Sequence, residues 1–186
     1  MSMDDTRLKV LVIGPSMSGK SFICDFLAGT TKNSGTSSYS PTMGVRILEV
    51  SRDLPQGGAS IELWDVGGDK KYEYGWPAIM KDADGVMFVA VAGNRSGERE
   101  LETWFQRFAV PLKFSESQCA ILLNTYNPAA AAGNSSSSGP ATGAQAEQAP
   151  GKNVAKSMSR ITTAIVSIDD DHEKVREHFD SLLSRI

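Results

Sequence analysis

Apolar residues recur along this chain in two rhythms. Lys9 to Ile13, Gly85 to Ala92 and Cys119 to Leu123 are short, nearly continuous apolar runs, the pattern of strands buried on both faces. Gly44 to Val50 and Ala59 to Trp64 read as two further strands, with Leu54-Pro55-Gln56-Gly57-Gly58 as the turn between them. Thr162 to Ile168 reads as another. Helical spacing fills the intervals: Phe22, Ile23, Phe26 and Leu27 within Ser21 to Leu27, then Trp76 to Asp82, then Leu101, Trp104, Phe105 and Phe108 within Glu98 to Phe108. Asp170 to Arg185 is a last helix, with Val175, Phe179, Leu182 and Leu183 on one face. Its acidic start at Asp169 to Asp171 and basic end at Arg185 suit the helix dipole. Strands alternating with helices predict an α/β fold with a mixed, mainly parallel central sheet flanked by helices. The hairpin pair supplies one antiparallel edge.

Two segments depart from these rhythms. Thr30 to Ser40 is rich in Ser, Thr and Gly and reads as a mobile loop. Pro128 to Lys152 carries Ala, Gly, Ser, Pro, Gln and Asn but no large apolar residue, so it cannot bury enough surface to offset its ordering entropy. It is expected to be a disordered insertion, at about 128–152, inside a single domain spanning 1–186. A length of 186 residues suits one domain with a substantial core. A net charge of −3 argues against broad electrostatic binding to nucleic acid. Cys24 and Cys119 form no metal-ligand cluster and are expected to be small buried residues of a reducing compartment. No apolar run is long enough for a signal peptide or a bilayer span. Ser2 in place of glycine and the last residues Leu-Leu-Ser-Arg-Ile leave no expected lipid anchor.

The chemistry begins at Gly14-Pro15-Ser16-Met17-Ser18-Gly19-Lys20-Ser21, a G-x-x-x-x-G-K-S loop after a buried strand and before a helix. Its glycines permit a curve of backbone N–H donors around a polyphosphate, Lys20 supplies a cation for the β- and γ-phosphates, and the Ser21 hydroxyl can ligate Mg²⁺. Trp64-Asp65-Val66-Gly67-Gly68 follows at the end of the third strand. Asp65, 45 positions after Lys20, can hold Mg²⁺ through water, and Gly68 can offer its N–H to a γ-phosphate. Thr42, in Tyr39-Ser40-Pro41-Thr42-Met43-Gly44-Val45, occupies the loop where metal and γ-phosphate would be sensed.

Together these motifs resemble the small GTPases over nearly the whole chain except Pro128 to Lys152. Tyr-x-x-Thr-x-Gly-Val resembles the first switch of Rab-type members, and Asp65 to Gly68 the second switch of Arf-type members. Trp64 to Asp69, followed by Trp76-Pro77-Ala78-Ile79-Met80-Lys81-Asp82-Ala83-Asp84-Gly85-Val86, is similar to the Rab-like family of the intraflagellar transport machinery (Rab-like five). The resemblance implies a phosphate-loop small-GTPase fold and GTP or GDP with Mg²⁺ as cofactors. It implies a nucleotide-binding set of Ser16, Met17, Ser18, Gly19, Lys20, Ser21, Phe22, Thr42, Gly68, Asn124, Thr125, Asn127 and Ser167. The implied metal set is Ser21, Thr42 and, via water, Asp65. It further implies coiled-coil partners in the transport complex's B assembly, and residence in the cytoplasm and the cilium or flagellum and its base.

The chain departs from the small-GTPase pattern in two places. Where Asn-Lys-x-Asp is usual, it has Asn124-Thr125-Tyr126-Asn127. An amide at Asn127 offers one acceptor where a carboxylate offers two, so guanine affinity and selectivity should weaken, with Tyr126 free to stack on the base. Asp69 stands where glutamine usually orients the attacking water; it cannot donate an amide hydrogen bond and would repel a nearby γ-phosphate. No residue is assigned a catalytic role, and hydrolysis is expected to be slow or absent. Three other readings stay open: a nucleotide-free structural pseudo-GTPase, an active GTPase needing a partner, and a phosphate-loop ATPase or nucleotide kinase.

Overall fold

A computed structural model of the protein describes residues 6–30, 40–55, 57–125, 150–167 and 171–186. Strand β1 (Thr6–Ile13) leads through the glycine loop into helix α1 (Lys20–Leu27), and β2 (Val45–Leu54) pairs antiparallel with β3 (Gly57–Val66). A 3₁₀ turn (Lys70–Gly75) runs into α2 (Trp76–Met80), followed by β4 (Gly85–Val91), α3 (Arg95–Leu112), β5 (Cys119–Asn124), β6 (Thr162–Val166) and α4 (His172–Leu183). The six strands lie in the order β2-β3-β1-β4-β5-β6, and every pair except β2–β3 is parallel. This is the mixed, mainly parallel sheet that the apolar runs predict.

Alternation along β1 builds a core on each side of the sheet. Leu8, Val10 and Val12 meet Ile23, Phe26, Val175 and Phe179 beneath α1 and α4. Leu11 and Ile13 meet Trp76, Leu101, Trp104 and Phe108 beneath α2 and α3. Full burial of a side chain such as Phe88 or Phe179 contributes about 2 kcal/mol, so these two layers hold the sheet and its loops in place. Cys24 and Cys119 are free and buried, as expected, and burial pushes the Cys119 thiol up to about 12.

Several boundaries differ from the sequence reading. Leu54 pairs with Gly57, so both glycines placed in the turn belong to β3. The helix expected over Trp76 to Asp82 stops at Met80, because Lys81 leaves helical geometry at ψ 132 and Asp82 follows in the left-handed region at φ 57. The strand expected to reach Ile168 ends at Val166, and Ile168 lies outside the described residues. Most of the segment at 128–152 also lies outside them. Its last residues, Pro150 to Lys152, form a turn.

β1 is central, with β3 on one side and β4 on the other. The chain therefore departs in opposite directions from neighbouring strand ends, which opens a crevice at the carboxyl end of β1, where open α/β sheets bind ligands.

Candidate functional site

The loop after β1 is shaped by glycines that nothing else can replace. Gly14 has φ 145, and a Cβ there would lie 2.1 Å from the Val89 carbonyl oxygen on β4. Glycine alone lets the chain turn this close to the neighbouring strand. Met17, one of the implied nucleotide-binding set, takes the left-handed conformation at φ 62. Gly19, at φ 93, opens α1, whose N-terminus has no side-chain cap, leaving its first N–H groups directed at the loop.

Lys20 is buried, and its Nζ donates to the Gly14 carbonyl at 3.0 Å and the Pro15 carbonyl at 2.6 Å, with Ser18 Oγ at 3.4 Å. Burial lowers its pKa to about 8, against the opposing pull of Asp65. An anion in the loop would restore the charge that burial disfavours.

Three oxygens expected at a metal converge beside it. Ser21 Oγ lies 2.8 Å from Thr42 Oγ1, and Thr42 Oγ1 donates to Asp65 Oδ2 at 3.2 Å. Asp65 is wholly buried, and its Oδ1 has no hydrogen-bond partner among the described residues. Hard oxygens plus a buried acceptor left bare have the chemistry Mg²⁺ requires, and Ser21, Thr42 and Asp65 are the residues that would hold it.

The two segments around this cluster close on the loop. Gly67 N–H donates to the Gly44 carbonyl at 2.8 Å. A Cβ on Gly67 would lie 2.4 Å from the Thr42 carbonyl oxygen, and one on Gly68 would lie 2.4 Å from the Ser16 nitrogen. Gly68 thus sits directly against the loop whose γ-phosphate it is expected to contact.

At the other end of the crevice, the buried Asn124 donates from Nδ2 to the Ser18 carbonyl at 3.3 Å, tying β5 to the loop. Thr125 donates from its backbone and its hydroxyl to the Val166 carbonyl, at 2.8 and 3.2 Å. Ser167 N–H donates to Asp171 Oδ2 at 3.1 Å. Tyr126 and Asn127 lie outside the described residues. Phe22 is half-buried and packs on the α1 core.

Asp69 does not point freely toward the loop. Its carboxylate caps the 3₁₀ turn by accepting from Lys71 N–H at 3.0 Å, and it pairs with the Lys71 ammonium at 2.9 Å. Both Lys71 contacts hold its carboxyl below the usual aspartate range.

Two participants escaped the sequence reading. Arg46, on β2, reaches Asp65, Asp25 and the Ser21 carbonyl. Glu98, on α3, is wholly buried: Oε1 accepts from Gly93 N–H and Gly151 N–H at 2.9 Å each, and Oε2 from Asn153 N–H and Nδ2 at 3.1 and 3.2 Å. It fastens the chain's return at 150–153 to the β4–α3 loop.

Residues 9–127 match the family model of the Roc (Ras of Complex) domain of DAPkinase. The intraflagellar transport protein 22 homologue of Danio rerio is 34% identical over 185 residues, covering 97% of this chain and 90% of that protein. The GTP-bound crystal structure of Trypanosoma brucei IFT22/74/81 is similar with a TM-score of 0.70 and 31% identity, over 97% of this chain and 95% of that one. GDP-bound T. brucei IFT22 is similar with a TM-score of 0.66 and 31% identity, over 98% and 97%. With its phosphate loop, closed switch segments and mixed sheet, the chain belongs to the intraflagellar transport protein 22 family of Rab-like small GTPases.

Proposed function

We propose that this protein holds a Mg²⁺-bound guanine nucleotide and serves as a nucleotide-dependent binding module of the intraflagellar transport B complex, with slow or absent hydrolysis. The observation that carries the reading is the convergence of Ser21, Thr42 and the bare oxygen of Asp65 beside a buried Lys20. Similar proteins were crystallised with GTP and with GDP, one of them in the assembly IFT22/74/81.

The chain's own residues divide the work. Backbone N–H groups of the loop and α1 would cradle the phosphates, and Lys20 would redirect its ammonium from loop carbonyls to phosphate oxygens. Bound Mg²⁺ would neutralise the β- and γ-phosphate charge. Thr42 and Gly68 link the phosphate end to the two switch segments, so their shape can report the nucleotide. Asn124 braces the loop through the Ser18 carbonyl, and Thr125, Asn127 and Ser167 would hold the base without the usual aspartate. Asp69, engaged by Lys71, leaves no amide to orient an attacking water.

Met43, Ile47 and Tyr74 are 82%, 50% and 93% exposed around the same switches. Such apolar exposure beside nucleotide-sensing loops supports docking of a coiled-coil partner there. This reading places the protein in the cytoplasm and in the cilium or flagellum and its base.

The test is to identify, by chromatography, the nucleotide released from the denatured protein, then to measure co-purification with the coiled-coil pair of the B complex in GTP-, GDP- and nucleotide-free states. GTP or GDP with stable pairing is expected, as is single-turnover hydrolysis on the order of 10⁻⁴ s⁻¹ or slower. ATP, an empty pocket or hydrolysis within seconds would each overturn part of the reading, and absence of pairing in every state would overturn the transport role.

A further inference from the structure

Arg46 is the second residue of β2, and the hairpin register sets it opposite Asp65. Its guanidinium meets three groups at once. Nη1 pairs with Asp25 Oδ1 at 2.9 Å, and Nη2 donates to the Ser21 carbonyl at 3.1 Å. Nη2 and Nε both approach Asp65 Oδ2, at 3.2 and 3.3 Å. The same oxygen also accepts from Thr42, while Oδ1 has no partner among the described residues. The acid beside the metal position therefore has one oxygen loaded with a cation and a hydroxyl, and the other bare.

We propose that Arg46 is an internal counter-cation that sets the metal affinity of the site. By neutralising Asp65, it weakens the pull on a divalent ion, so nucleotide retention in this protein depends only modestly on Mg²⁺. The inference rests on the guanine-nucleotide reading above. Arginine remains charged at every accessible pH, so this opposition is permanent. Asp65 is fully buried, where charges act over a low effective dielectric, whereas the Arg46 side chain is 41% exposed and partly screened. Asp25 draws off part of the arginine's charge. The metal is therefore weakened, not excluded, and Oδ1 stays available for a metal-bound water.

A merely structural Arg46, pinning β2 to α1, makes a different prediction. Its loss would hasten nucleotide release by the same factor with and without metal. An electrostatic Arg46 changes the ratio between the two conditions.

The experiment uses the full chain loaded with GDP. Mn²⁺ affinity is measured by electron paramagnetic resonance, and release of a fluorescent GDP analogue is timed in excess Mg²⁺ and in excess EDTA. Arg46→Met is expected to bind Mn²⁺ about tenfold tighter than the wild type, and to raise the EDTA-to-Mg²⁺ ratio of release rates by about tenfold. Arg46→Lys, which keeps the charge, should stay within about threefold of the wild type. If Arg46→Met does not fold, Arg46→Gln keeps an amide for the Ser21 carbonyl and makes the same test. A Mn²⁺ affinity that is unchanged or weaker in the neutral variant overturns the proposal. Wild-type protein that loads no guanine nucleotide overturns the underlying reading and this proposal with it, whereas loading with an unmoved Mn²⁺ affinity overturns this proposal alone.

Discussion

A carboxylate shut away from water persists only where N–H groups replace its hydration, and Glu98 has four of them. Glu98→Ala removes the acceptor and leaves those donors without it, so a loss of about 3 kcal/mol is expected in urea unfolding. Glu98→Gln keeps one acceptor oxygen but brings an NH₂ toward donors, and should lose less. Glu98 also shows why some site residues could not be read from the sequence. It looks like any acidic residue in the first turn of a helix, and its partners at Gly151 and Asn153 are 53 and 55 positions away. Arg46 is equally silent in the sequence: its partners Asp25 and Asp65 are brought to it by the sheet register and the loop. The convergence of Ser21, Thr42 and Asp65 beside Lys20, by contrast, was legible, because the glycine-loop and acidic motifs set those residue types at fixed places on a strand–loop–helix. Asp69 was legible in position but not in conformation, since its capping of the 3₁₀ turn depends on local backbone geometry.

Among the elements, strands and long helices were legible from periodicity, and their ends were not. The α2 terminus is decided by the turn through Lys81 and the left-handed Asp82, and the hairpin glycines are decided by pairing across β2 and β3. Helix α4 carries a consequence that periodicity does not foretell. His178 stands on its buried face, with Nε2 lacking a hydrogen-bond partner among the described residues. Burial lowers its pKa, Arg185 adds to that, and a hydrogen bond with the Ile121 backbone opposes it. Its folded pKa therefore lies below the unfolded value near 6.5. The unfolded state takes up the proton first as pH falls, so stability holds above that value and declines below it, by at most about 1.4 kcal/mol per unit. The urea midpoint should accordingly fall between pH 7.5 and 5.5 in the wild type, and His178→Phe should flatten this part of the profile (both values chosen above the main carboxylate range).

For the whole molecule, the crevice follows from the sheet order, which sets β1 between β3 and β4. The family motifs locate the phosphate end within that crevice. The route by which the chain returns to the sheet after β5 does not follow from either. Thr125 holds the outgoing chain to Val166, and Glu98 holds the returning chain at Gly151 and Asn153. Each side of that excursion is thus anchored by its own contacts to the body of the protein. A backbone break between residues 126 and 149 would separate a fragment carrying β1 to β5 from one carrying β6 and α4, yet both would keep their docking contacts. The two pieces, co-expressed, are expected to copurify as a complemented pair, and Glu98→Ala should weaken their association by at least about tenfold in a pull-down. The buried carboxylate thereby makes this protein a natural candidate for a split reporter, with a fragment-joining latch already built into its core.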